Sequence, residues 1–345
     1  MIKTGDSSGI RRSATMRSVA ATGVEVTQLG FGGTAIGGMF GEVDPDAAEA
    51  ALVAAHALGV RYFDTAPFYG LGEAERRLGR AVRAGRLPDV TLSTKVGRTL
   101  RPVSSGDRQV AKVLPWFDYS ADGIRRSLED TIQRTGVDCF DIVYLHDLST
   151  RWHGESLSQR MHETAESGLP MLQDLKRQGV IKAIGIGTND PETCRTFLDD
   201  VELDVVMLAG CYTLLNQTGL PELLPACHDR GISVVAAAPF NSGILATGAT
   251  GDAKYFYVSA PDDVRNRTRR IEEIARDHDV AMPAAALQFA LGHPAIASVV
   301  AGVASVEEAE ANIHLMDASI PEDFWKALAE TGLLIDGTPL PGAPE

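Results

Sequence analysis

Gly59-Val60-Arg61-Tyr62-Phe63-Asp64-Thr65-Ala66-Pro67-Phe68-Tyr69-Gly70 decides how this chain folds. A glycine closes what precedes it. A short apolar run follows and ends on a carboxylate, and a proline-containing turn then carries a phenol. Runs of this kind recur outward in both directions: Leu29–Gly33, Arg61–Asp64, Val90–Lys95, Phe140–His146, Ile181–Gly187, Asp204–Leu208, Ser233–Ala238 and Ala297–Val300, eight in all. They are short and rich in Val, Ile and Leu. They lack period-2 alternation, the pattern of strands covered on both faces.

Helical patterns lie between them. Asp44-Pro45-Asp46 opens Ala47–Leu58, with Gly59 as the stop. Ser120 caps Ala121–Thr135 ahead of Gly136, Pro191 starts a helix to about Leu198, and Pro221 starts one ending near Arg230. Ser305 caps Val306–His314, with Glu307 and Glu308 where the helix dipole favours acids. Eight strand-helix units predict an α/β protein, a (β/α)8 TIM barrel in a single domain. The alternative is a doubly wound sheet, which wants Gly-x-Gly-x-x-Gly opening its first helix. The glycines of Gly30–Gly38 have the wrong spacing, and no helix follows before residue 45.

Residues 1–16 read as a flexible leader and 17–345 as the barrel. Three long connections, Gly97–Tyr119, Asp147–Gly168 and Pro239–Pro261, follow strands and so belong to the C-terminal face, where long loops build pockets. Trp116, Phe117, Trp152, Tyr255, Phe256 and Tyr257 cluster in them.

The bulk properties exclude several classes. The 345 residues carry a net charge of −14, which disfavours nucleic acid and anionic membrane as partners. There is no apolar run of spanning length and no signal-peptide core, and the four cysteines form no Cys-x-x-Cys pair or metal-type cluster. A cytoplasmic location and small buried thiols are expected.

In a barrel, Asp64, Lys95 and His146 end three successive strands and Tyr69 follows the first of them, so all four converge at one mouth. A free phenol is a poor base near neutrality, with a pKa of about 10. The Lys95 ammonium would favour the phenolate, Asp64 would hold Lys95, and His146 would orient a carbonyl oxygen. Taken singly, each has a plainer reading: a packed tyrosine, a turn-capping aspartate, a rim or Schiff-base lysine, a structural histidine.

Val19 to His314 resembles the aldo-keto reductases. The resemblance is carried by Gly59–Gly70, by Ser93-Thr94-Lys95-Val96-Gly97 and by Asp138–Asp147. It implies that Asp64, Tyr69, Lys95 and His146 are the catalytic tetrad. It also implies an extended nicotinamide dinucleotide across the mouth and a small carbonyl or alcohol substrate. Cofactor positions that follow from it are Gly33, Thr34, Thr188, Asn189 and Tyr212, the last as the ring stacked on nicotinamide. Pro239, Phe240, Asn241, Ser242, Gly243 and Leu245 would lie over the pyrophosphate, and Gly302, Ser305, Glu308 and Asn312 at the adenosine. Phe68, Trp116 and Trp152 would line the substrate pocket. The segment 299–314 carries no Lys or Arg, and Glu308 stands where a basic residue would meet a 2′-phosphate. That favours NAD, with NADP possible; Glu308 also reads simply as a first-turn helix acid.

Phe117–Gly123, Leu145–Leu148, Met207–Leu215 and Pro239–Leu245 are most similar to the branch of aldose 1-dehydrogenases and pyridoxal 4-dehydrogenases. That implies oxidation of a cyclic hemiacetal to a lactone. A carbonyl reductase, an alcohol or pyridoxal dehydrogenase, and a non-catalytic binding protein are the alternatives. Cys211 replaces the arginine the branch leads one to expect.

Overall fold

The structure, a computed structural model, describes residues 11–103 and 112–342. Eight parallel strands close on themselves: β1 (Leu29–Gly32), β2 (Tyr62–Asp64), β3 (Thr91–Val96), β4 (Phe140–His146), β5 (Ile181–Thr188), β6 (Val205–Ala209), β7 (Ser233–Ala237) and β8 (Ile296–Gly302). Each pairs with the next, and β8 pairs with β1 through Val299–Leu29 to Gly302–Gly32. This is the (β/α)8 barrel expected from the sequence.

Side chains divide into two cores. Tyr62, Ile142, Tyr144, Val205, Met207, Val235 and Val300 fill the barrel interior. The opposite faces of the strands pack against the surrounding helices in a much larger cluster. Burial on both sides explains why the strands read as unbroken apolar runs. The helices begin as their caps dictate. Asp44 accepts from the N–H groups of Asp46 and Ala47 and opens Pro45–Ala57. Ser120 accepts from Gly123 and opens Ala121–Thr135.

Several elements differ from the sequence reading. An antiparallel hairpin, Met16–Val19 with Val24–Thr27, plugs the N-terminal end of the barrel with Val19, Val24 and Val26. Its backbone is tied to the starts of β7 and β3, through Ser233 Oγ and Thr91 Oγ1. Residues 11–16, within the span read as leader, are docked: Arg12–Ala14 form a 3-10 turn, and Ser13 bonds Asp317 by backbone and hydroxyl. Residues 1–10 of that span lie outside the described residues.

The three long connections have their own structure. The first is a hairpin, Arg98–Val103 with Lys112–Phe117; its tip, 104–111, lies outside the described residues. The second is mostly helical, with Thr150–His153 and Leu157–Glu163. The third holds a turn of helix, Ile244–Thr247, and a small hairpin, Lys254–Tyr255 with Val258–Ser259. Cys194, Cys211 and Cys227 are buried and free, and Cys139 is partly exposed. Among the described residues no helix is long and apolar enough to cross a membrane.

Candidate active site

The ends of β2, β3 and β4 deliver Asp64, Lys95 and His146 to one place. Lys95 Nζ lies 2.7 and 2.6 Å from the two oxygens of Asp64 and 3.0 Å from the Thr65 carbonyl. Both side chains are almost wholly buried, at 2% and 3% exposure. The ammonium sits 4.8 Å from the centroid of the Tyr69 ring. The Tyr69 and His146 rings meet edge to face, 6.1 Å between centroids.

Tyr69 is placed by a contact between two loops. Gly70, at φ +60°, brings its backbone against Gly37; a Cβ on Gly70 would lie 1.9 Å from the Gly37 carbonyl oxygen. No side chain fits there, so the turn after β2 is locked against the turn after β1. Gly33 belongs to the same junction, donating to the Asp64 carbonyl at 2.8 Å. The Thr34 hydroxyl acts on the Tyr69 phenol from the same side.

Protonation follows from burial and charge. Burial disfavours the Lys95 ammonium, but Asp64 and Tyr69 outweigh it and hold Lys95 protonated. Burial pushes the Asp64 carboxyl up, and Lys95 opposes it. Burial also raises the Tyr69 phenol; Lys95 pulls it back without reversing the direction. The sequence reading had only the lowering. His146 is driven down to about 4, because it is buried and has Lys95 and Arg98 nearby, so the imidazole is neutral at neutral pH. Its Nδ1 is buried without a partner among the described residues, and its Nε2 lies 3.5 Å from Asp147. A neutral ring beside a phenol can orient a carbonyl or hydroxyl oxygen, while Tyr69 and Lys95 move the proton.

The remaining expected residues divide. Phe68 and Trp152 come together around Arg98, at 3.4 and 4.3 Å from ring centroid to guanidinium carbon. Trp116 does not. Alternation along the hairpin puts it on the face opposite Phe117 and Arg98; it is half exposed and stacks under Arg101 at 4.8 Å. Tyr212 is also turned away. It is 1% exposed and packs on Phe289 and His293, within the cluster between strands and helices. Stacking on a nicotinamide at the mouth is inconsistent with that position. Asn189, next to Thr188, lines a cavity of about 680 Å³ with Cys211, Asn216 and Phe256. Thr188 Oγ1 accepts from the Asp190 N–H at 3.0 Å.

The loop after β7 is strained. Ala238, Asn241, Ser242 and Gly243 all have positive φ, and the loop closes on itself: the Asn241 N–H donates to the Ala238 carbonyl at 3.1 Å and the Gly243 N–H to the Phe240 carbonyl at 3.0 Å. Asn241 is pinned by Thr213 at 2.6 Å and Gly210 at 3.2 Å, and the Ser242 hydroxyl accepts from the Tyr257 N–H at 3.0 Å. Pro239 and Phe240 form the turn, and the Leu245 side chain is buried beneath it. At the end of β8, Gly302 is exposed, Ser305 caps the next helix and Asn312 is buried. Glu308 donates its N–H to Ser305 Oγ at 3.2 Å, and its carboxylate accepts from Ala304 N at 2.7 Å. That reciprocal cap is the plainer of its two readings.

Sequence reasoning missed Arg98. It is 4% exposed and reaches Asp147 at 2.5 Å. Its position two residues past the end of β3, at the pocket face, was the available signal.

Residues 28–332 match the model of the Aldo/keto reductase family. The chain belongs to the aldo/keto reductase family. It is 36% identical over 338 residues to pyridoxal 4-dehydrogenase of Microbacterium luteolum, covering 94% of this chain and 99% of that one. It is 37% identical over 334 residues to D-threo-aldose 1-dehydrogenase of a Pseudomonas species, covering 93% and 99%. L-galactose dehydrogenase of Arabidopsis thaliana is 31% identical, with 86% of each chain covered. An aldo-keto reductase of Bacillus halodurans, solved in its holo form, superposes with a TM-score of 0.73 over 92% of this chain and 96% of its own, at 23% identity, which bears on the fold alone. As a member of this family the chain is an NAD(P)-dependent oxidoreductase.

Proposed function

We propose that this aldo/keto reductase oxidises an aldose at C1, in its cyclic hemiacetal form, to the lactone. The observation that carries the chemistry is the buried Lys95–Asp64 pair set 4.8 Å from the Tyr69 ring. Tyr69, as phenolate, removes the C1 hydroxyl proton. Lys95 stabilises that phenolate, and Asp64 keeps Lys95 charged and fixed. Neutral His146 orients the reacting oxygen. A nicotinamide cofactor, when bound, would supply the acceptor for the hydride that leaves C1. The relatives named for aldoses support the substrate class. Pyridoxal is the second reading, on the strength of the similarly close pyridoxal 4-dehydrogenase.

The cofactor would run past the strained loop at 238–243, where Ser242 would face its pyrophosphate while Asn241, spent on Thr213 and Gly210, would hold the loop in shape, and past the end of β8, where Gly302 and Ser305 would meet the adenosine. Thr34, Thr188 and Asn189 would face the nicotinamide end. NAD is preferred over NADP because 299–314 offers acids and no Lys or Arg to a 2′-phosphate. The ratio of kcat/KM with the two cofactors tests this; a higher value with NADP contradicts it.

A further inference from the structure

We propose that Arg98, paired with Asp147, is a specificity-determining residue that selects uncharged polyhydroxy substrates and disfavours anionic ones. The inference rests on the aldose reading and names what that site recognises.

Arg98 touches the neighbours of two tetrad residues. Phe68 precedes Tyr69, and Asp147 follows His146. The guanidinium carbon lies 3.4, 4.3 and 5.2 Å from the ring centroids of Phe68, Trp152 and Phe117. These rings hold its plane and leave its edge to make polar contacts. Nη1 bonds Asp147 at 2.5 Å, and Nε is buried without a partner among the described residues. A buried donor left unspent costs free energy that a ligand oxygen can recover. Asp147 itself is held at φ +60°, an uncommon conformation for this residue, between Arg98 and His146 Nε2.

The charges balance. Lys95 is matched by Asp64, Arg98 by Asp147, and His146 and Tyr69 are neutral. Among the described residues, the buried part of the site therefore holds no spare cation for a carboxylate or phosphate, and desolvating one there is costly. Arg151, 5.6 Å from the Trp152 ring, is exposed and screened by solvent. A neutral hydroxyl suits the pair, because it accepts from Arg98 and donates to Asp147 at once. The flat faces of Phe68 and Trp152 offer apolar walls to the C–H side of a sugar ring.

The test is kcat/KM for NADH-dependent reduction of three probes: glyceraldehyde (neutral, hydroxylated), propanal (neutral, without hydroxyls) and glyoxylate (anionic). Arg98→Met is expected to lower the glyceraldehyde-to-propanal ratio about tenfold or more, through KM. Asp147→Asn, which leaves Arg98 unmatched, is expected to raise the glyoxylate-to-glyceraldehyde ratio by about tenfold or more. Should Arg98→Met fail to fold, Arg98→Lys keeps the charge but loses the planar fork, and the first ratio must still fall. Ratios unchanged within about twofold, with all rates dropping together, would assign Arg98 a structural role and overturn the proposal. Because the probes are simple carbonyls, a shift in ratios without oxidation of any aldose by the wild type would uphold Arg98 and reject the aldose reading.

Discussion

Lys95 and Asp64 form a two-point ion pair, 2.7 and 2.6 Å, in almost complete isolation from water. Neither partner is tolerable alone at such a depth. Asp64→Asn leaves an uncompensated ammonium and is expected to cost about 3–5 kcal/mol of stability. Chemical denaturation measures this; a loss under about 1 kcal/mol would mean that the pair opens to water. The same variant weakens the hold on Lys95, so kcat should fall as well.

Tyr69→Phe removes the proton carrier and keeps the ring. Turnover should drop by about 10²-fold or more, with cofactor affinity unchanged by fluorescence titration. An unchanged kcat would remove Tyr69 from proton transfer.

The pH dependence should differ between directions. Oxidation needs the Tyr69 phenolate, and burial raises this phenol above its ordinary value despite Lys95. Oxidation should therefore climb continuously toward alkaline pH, whereas reduction, which needs the phenol, should fall there. Profiles of kcat/KM in both directions check this. An oxidation rate that levels off near neutrality would show another base.

Acid stability has a defined window. His146 and His293 are both held down to about 4 by burial. Between roughly pH 6.5 and 4 the unfolded chain binds protons that the folded chain refuses, so stability falls as pH drops through that range. His146 accounts for a loss on the order of 3 kcal/mol by pH 4, and the less enclosed His293 for a smaller one. Tm between pH 7 and 4.5 reports it, and His293→Asn should flatten the slope.

Gly70→Ala should be severe, since the added Cβ meets the Gly37 carbonyl at 1.9 Å on a left-handed backbone. Activity should fall more than Tm, because the displaced turn carries Tyr69. A fully active Gly70→Ala enzyme would show that the loop junction does not place the phenol.

Much of the fold was legible because its signals are local. Phe140–His146 and Ala121–Thr135 run exactly between the residues expected, the first ending on a polar side chain and the second bounded by Ser120 and Gly136. Asp64, Lys95 and His146 were legible because a strand end fixes where a side chain emerges. Side-chain direction in loops was not. Trp116 and Phe117 differ by one residue and point to opposite faces, a parity set by pairing with Arg98 and Thr99. Tyr212 depends on the turn from Gly210 to Gly219, closed by a bond from Gly219 N to the Cys211 carbonyl. Arg98 was missed because its burial depends on Asp147, 49 positions away. The N-terminal hairpin is short, and only its tertiary role as a plug stabilises it.

Absorbance at 340 nm with NAD and a panel of L-fucose, D-arabinose, L-galactose, pyridoxal and simple secondary alcohols tests the central claim most directly. The account predicts NADH formation with one or more of the aldoses, with the lactone as product. NADH formation from pyridoxal or an alcohol alone, with every aldose silent, would contradict it.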